Sequence, residues 1–118
     1  MNPEDFFAGH KESRMLFESV RKAVEKIGSF DVRVTKSQIA FRRRTGFAYV
    51  WIPGRYLRKN EVPLVLTIGL RRRDASPRWK EVVEPAPGRF THHLELRVDS
   101  EIDAEVRRWL KEAWESAA

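Results

Sequence analysis

Residues 39–52 read IAFRRRTGFAYVWI, and this stretch decides the fold. Ile39 and Phe41 alternate with Ala40 and Arg42, a basic turn ends at Gly46, and residues 47–52 are apolar throughout. An alternating run and a continuous apolar run about a glycine-containing turn are the marks of a β-hairpin whose second strand lies inside a sheet. If the tight loop holds an even number of residues, paired positions sum to an odd number such as 89 or 91. Ile39 and Phe41 then share a face with Ala48, Val50 and Ile52, which is the expected core side. Ala40 and Arg42 share the opposite face with Phe47, Tyr49 and Trp51.

That second face, three aromatics beside an arginine, has two readings. It is a stacking and cation–π platform suited to single-stranded nucleic acid or another planar anion. Or it is a second buried layer, covered by residues 1–11, by the 54–63 loop or by a dimer partner. Exposed aromatic patches of that size are unusual on monomers, which favours the buried layer.

Working outward, DVRVT at 31–35 precedes the hairpin and LVLTIGL at 64–70 follows it, with Pro53-Gly54 and Val62-Pro63 bracketing the loop between. Residues 79–83 suit a further short strand, and the PAPG of 85–88 interrupts the chain. In RFTHHLELRV, 89–98, Phe90, His92, Leu94, Leu96 and Val98 share one face, and Thr91, His93, Glu95 and Arg97 the other. Leu16, Val20, Ala23, Val24 and Ile27 recur at helical spacing from Ser13 to Ile27, with Gly28 placed to end the helix in the left-handed conformation. A second helix closes the chain, with Ser100 as its N-cap, Asp103 in its first turn and a stripe of Ile102, Val106, Trp109, Leu110 and Ala113. Residues 1–11 read as a loose leading segment with Phe6 and Phe7 tucked against the body. The expected fold is one α+β domain over 1–118: a two-layer sandwich, an antiparallel sheet of four to six strands with both helices on one face.

A chain of 118 residues is the size of one hydrophobic core. Without cysteine it has no disulfide, thiolate nucleophile or cysteine metal site. No secretory leader is predicted, and no apolar run approaches the roughly 20 residues that cross a bilayer. The expected setting is the cytoplasm, away from membranes. Between Arg42 and Lys80 stand eleven basic and two acidic residues, a local excess of +9 in a chain of net +6, so the remainder carries −3. A basic middle attracts phosphate, carboxylate or acidic protein. Arginine outnumbers lysine sixteen to seven, which codon bias in a GC-rich genome would also produce.

The candidate anion contacts are Arg42, Arg43 and Arg44 at the hairpin tip and Arg71, Arg72 and Arg73 at the end of the next strand. Whether the two runs meet depends on strand order. His92 and His93 are adjacent on a strand and point to opposite faces, so they do not bind one ion, and no metal or cofactor is expected. His92 among leucines reads as a hydrogen-bonded core histidine. His93 is the better functional candidate, with Lys36, Lys80 and Arg97 as further members of a candidate polar site. Glu81 and Glu84 read as solvated charges. Nucleophile elbows, Walker loops and zinc-helix motifs are absent.

The stretches DVRVTKSQIAFRRRTGFAYVWIP and KEVVEPAPGRFTHHLELRVDSEIDAEVRRWLKEAW, with the first helix, resemble a bacterial domain family of unknown function, number 5655. The resemblance implies a stand-alone form of a domain also attached to other modules, some labelled predicted transport proteins. It marks Lys36, Phe41, Phe47, Lys80, Gly88, Arg89, His93 and Asp103 as signature positions without assigned roles. In topology alone the chain also resembles the YjbR-like double-wing proteins, proposed to bind DNA. The leading expectation is a non-enzymatic module whose basic rim engages nucleic acid or an acidic protein. The alternatives are a protein-interaction domain or homodimer using the Phe47/Tyr49/Trp51 face, and an enzyme centred on His93.

Overall fold

The hairpin expected at 39–52 is the middle of a six-stranded antiparallel sheet. A computed structural model describes all 118 residues. The strands are β1 (Asp31–Val34), β2 (Ile39–Arg42), β3 (Gly46–Trp51), β4 (Leu64–Leu70), β5 (Glu81–Ala86) and β6 (Arg89–Leu96), in the order β1-β2-β3-β4-β6-β5. A short helix α1 (Pro3–Phe6) leads into α2 (Lys11–Glu25), and α3 (Ala104–Ser116) ends the chain. Both long helices pack on one face, as the sequence predicts.

Ile39 pairs with Val50 and Phe41 with Ala48, so Ile39, Phe41, Ala48 and Val50 do lie together in the core, with Leu66, Ile68, Leu94 and Leu96. One residue breaks the parity. A bulge between Phe41 and Arg42 shifts the pairing so that Arg42 faces Gly46 and Phe47 is the extra residue. Phe47 is thereby buried in the core cluster, its ring 6.5 Å from that of Phe41, and is not a neighbour of Tyr49 and Trp51 in an exposed aromatic row.

Several expected boundaries move for identifiable reasons. The leading segment is not loose: Asn2 and Asp5 form a reciprocal cap on α1, and Phe6 and Phe7 are buried, with Phe7 5.3 Å from Phe17 of α2. The second long helix is capped by Asp103, which accepts Val106 N–H at 3.1 Å; Ser100 lies in a preceding 3-10 turn. Gly28 does not end α2 in a left-handed turn, since the helix stops at Glu25. Its hydrogen is needed because Trp114 lies where a Cβ would stand, with the indole N–H donating to Ser29 O at 2.9 Å. Residues 81–86, reaching into the PAPG segment, form an edge strand; Pro85 is tolerated there because an outer N–H has no ladder partner to lose.

Candidate functional site

The face of the sheet away from α2 and α3 is covered by no layer of secondary structure. Its relief follows from side-chain size. Strand β4 presents Val65, Thr67 and Gly69 there, all small, whereas β3 presents Trp51 and Tyr49 and β6 presents Glu95, His93 and Thr91. A strand of small side chains between two strands of larger ones is a trough. Three hollows follow it in order. The first lies at the arginine end of the sheet, reaching from Ala113 and Ser116 of α3 past Arg71, Arg89 and Gly69 to Tyr49 and Thr91. The second, of about 490 Å³, lies between Tyr49, Trp51, Tyr56, Thr67, Thr91 and His93. The third continues past Trp51 and His93 to Val65, Lys80, Glu81 and Glu95. Tyr49 and Thr91 are shared by the first two and Trp51 and His93 by the last two, so the hollows lie in a row along the strands, with the Trp51–His93 contact standing between the second and the third.

The segment 53–63 straps one wall. Pro53–Arg55 makes a 3-10 turn, and the Arg55 guanidinium lies 4.6 Å from the centre of the Phe6 ring and donates to Phe6 O. Beyond that anchor Tyr56 leans on Trp51, centroids 6.3 Å apart, and its hydroxyl donates to Ser37 O at 3.2 Å.

A chain of polar groups crosses the floor. Trp51 Nε1 donates to Thr67 Oγ1 at 3.1 Å, and Thr67 Oγ1 lies 2.7 Å from His93 Nδ1. The Trp51 and His93 rings meet edge to face at 6.2 Å. Burial pushes His93 below the usual histidine pKa, opposed by the negative charge of Glu81, its partner on β5. His92, on the other side of β6, is fully buried: Nε2 accepts Asp74 N–H at 3.0 Å and Nδ1 donates to Phe90 O at 3.2 Å. Burial lowers its pKa as well.

Because β3 and β4 are antiparallel, the β2–β3 tip and the end of β4 lie at the same end of the sheet, and both arginine runs stand there. They are not six equivalent charges. Three of them hold the C-terminus of α3: Arg43 stacks 3.6 Å from Trp114 and donates to Trp114 O at 2.9 Å, Arg44 N–H donates to Ala117 O at 3.1 Å, and Arg71 donates to Ser116 O at 3.2 Å. Arg72 is neutralised by Glu112 at 2.9 Å and Asp74 at 2.8 Å. Arg73 covers the Phe90 ring at 5.3 Å. The guanidinium groups of Arg42 and Arg44 make no ion pair, and neither does that of Arg89, which faces the trough mouth.

Of the candidate polar group, His93 and Lys80 line the third hollow together. Arg97 pairs with Glu95 at 3.4 Å and borders a separate hollow with Arg78 and Lys80, and Lys36 sits in the β1–β2 turn beside Ser37 and Gln38, toward the opposite edge of the sheet. No hollow is lined by all four.

The family comparison covers nearly all of this architecture. The family described as Domain of unknown function (DUF5655) matches residues 3–117. The chain belongs to DUF5655. No curated protein and no solved structure matches it, so the double-wing likeness remains a topological expectation. No helix of this DUF5655 domain is long and apolar enough to cross a membrane. Thr67, Tyr56 and Arg89 enter the site without having been singled out as contacts in the sequence. The available signal was the pair Thr67 and Gly69, small residues on the second side of an otherwise apolar strand.

Proposed function

We propose that this DUF5655 domain binds single-stranded nucleic acid along the open sheet face. The observation that carries the proposal is the trough itself, which leads from an arginine mouth to an aromatic interior. Arg89 and Arg71 line the mouth, Arg42 and Arg44 stand at the same end of the sheet, and together they would supply phosphate contacts, while Tyr49, Trp51 and Tyr56 offer ring faces to bases. At the far end Glu81 and Glu95 stand with Lys80 and Arg97, so that region is polar without net charge and suits base edges. From Val65 to Arg71 the floor runs about 20 Å at ordinary strand rise, room for a few nucleotides. A duplex does not fit a trough one strand wide. The cytoplasm, the setting expected from the sequence, would supply such strands.

The test is a titration of labelled single-stranded and duplex oligonucleotides at two salt concentrations. Single strands bind more tightly, and the logarithm of the affinity falls against log salt by about 0.7 per phosphate contacted. No binding at low salt removes the proposal, and salt-insensitive binding removes its phosphate basis. A second reading, self-association through the same face, draws on Tyr56 and Leu57, which are about half exposed on the strap, and on Val83 of β5. Sedimentation of the free protein separates the two readings, since the second requires a concentration-dependent dimer.

A further inference from the structure

We infer that the trough distinguishes bases by their carbonyl oxygens, with the His93 Nε2–H as the fixed donor that reads them. This rests on the nucleic-acid reading above and adds a selectivity to it. The argument begins with proton counting along the floor. An indole N–H only donates, so Thr67 Oγ1 accepts from Trp51. The Thr67 hydroxyl has one proton of its own, and its other polar neighbour is His93 Nδ1. Thr67 is only 5% exposed, which leaves His93 Nδ1 as the nearest acceptor for that proton, and leaving a buried hydroxyl proton unpaired costs about 1–3 kcal/mol. The hydroxyl therefore donates to Nδ1. A neutral imidazole carries a single N–H, which must then be on Nε2.

Nothing in the protein accepts that second N–H. His93 Nε2 has no hydrogen-bond partner and is not among the buried unpaired atoms, and His93 lines both inner hollows, so Nε2 is open to an occupant of them. The same tautomer speaks against His93 as a general base, because the nitrogen open to that occupant already holds its proton. What the group can do is donate. Thymine, uracil, guanine and cytosine all carry a carbonyl oxygen, whereas adenine has none and its N1 and N7 acceptors each stand beside the 6-amino donor. An amino group facing Nε2–H leaves two donors opposed. Thr67 is a positioning residue for this donor, and Trp51 positions Thr67.

The experiment measures the affinities of oligo(dT) and oligo(dA) of equal length for the wild type, His93→Phe and Thr67→Val. The greater flexibility of oligo(dT) favours it in any groove, so the quantity read is the change in the dT/dA ratio on substitution. The ratio falls about fivefold in His93→Phe, the worth of one hydrogen bond. It falls in the same direction in Thr67→Val, which keeps the shape of the floor and stands as the test should His93→Phe not fold. A 15N spectrum of the wild-type imidazole at neutral pH shows the proton on Nε2, a signature that a merely structural threonine would not set. An unchanged ratio in both variants, or a proton on Nδ1, overturns the inference while leaving strand binding intact. If neither oligonucleotide binds, both proposals fall together.

Discussion

At the scale of single residues, the arginines divide by what they touch. Arg43 stacks on Trp114 and bonds a carbonyl at the end of α3, where the helix dipole is negative. Its truncation in Arg43→Ala is expected to cost about 2 kcal/mol, from the lost stacking and the unpaired carbonyl, read by urea denaturation. The salt slope of oligonucleotide binding stays as in the wild type. Arg89 is the opposite case, with no internal partner and a place at the trough mouth. Arg89→Glu leaves stability within about 0.5 kcal/mol and weakens strand binding at low salt at least tenfold, with a shallower salt slope. A titration in which Arg43→Ala loses binding and Arg89→Glu does not would reverse these roles. Composition made all sixteen arginines look alike. The difference between them comes from the approach of α3 to the rim, a contact across 71 positions of sequence for Arg43 and Trp114 that no local pattern encodes.

Among the elements, the strand β6 carries opposite duties on its two faces, and the alternation of its sequence shows this directly. His92 belongs to the core with Leu94 and Leu96, and His93 to the open face with Thr91 and Glu95. The position of β6 beside β4, and so the meeting of His93 with Thr67, depends on the β5–β6 hairpin placing its second strand inward, which strand periodicity does not reveal. The same blindness applies to the β2–β3 bulge: alternation counts residues and cannot show that one of them is unpaired, so it places Phe47 on the second face with Tyr49 and Trp51 and not in the core beside Phe41. Both histidines are held neutral by burial, and this fixes a sign. Each has a folded pKa below its unfolded value near 6.5, so the unfolded chain binds more protons in the window beneath that value. Their contribution to stability is complete above about pH 6.5 and is lost as pH falls through the lowered folded values. Denaturation midpoints should therefore decline from pH 7.5 to pH 5. A His92→Gln variant should show a smaller decline, despite lower stability throughout, and an undiminished decline would assign the effect elsewhere. Asp74 acts in a more acidic range. Against the opposing effect of burial, bonds from the Trp79 indole, Ser76 N–H and Arg72 hold its pKa at about 2, so its share is complete only above about pH 5 and is lost progressively as pH falls through about 4 toward 2.

For the whole molecule, the asymmetry between the two faces of the sheet is the governing fact. One face is closed by two amphipathic helices over a core cluster of 26 buried residues. The other is closed only by the strap, and its central strand is buried because its own residues are small and its neighbours lean over it. Loops of low contact density open at lower free energy than the core. The strap from Tyr56 to Asn60 is exposed along most of its length, and its side-chain ties stand at its start, where Tyr56 bonds Ser37 O and Arg55 is fixed to Phe6. An occupant of the second hollow must lie against Tyr56 and Trp51, so binding orders the strap. Hydrogen exchange is expected to slow in residues 56–60 and in the floor of β4 when an oligonucleotide is bound, with α2 and α3 unchanged. Tyr56→Ala should leave the unfolding free energy within about 1 kcal/mol, because Tyr56 is about half exposed, yet weaken binding by roughly 1–3 kcal/mol through lost stacking. Protection that appears instead over the exposed face of α3, with the strap unaffected, would place the ligand on the helical side and the sheet trough would lose its claim to be the binding face.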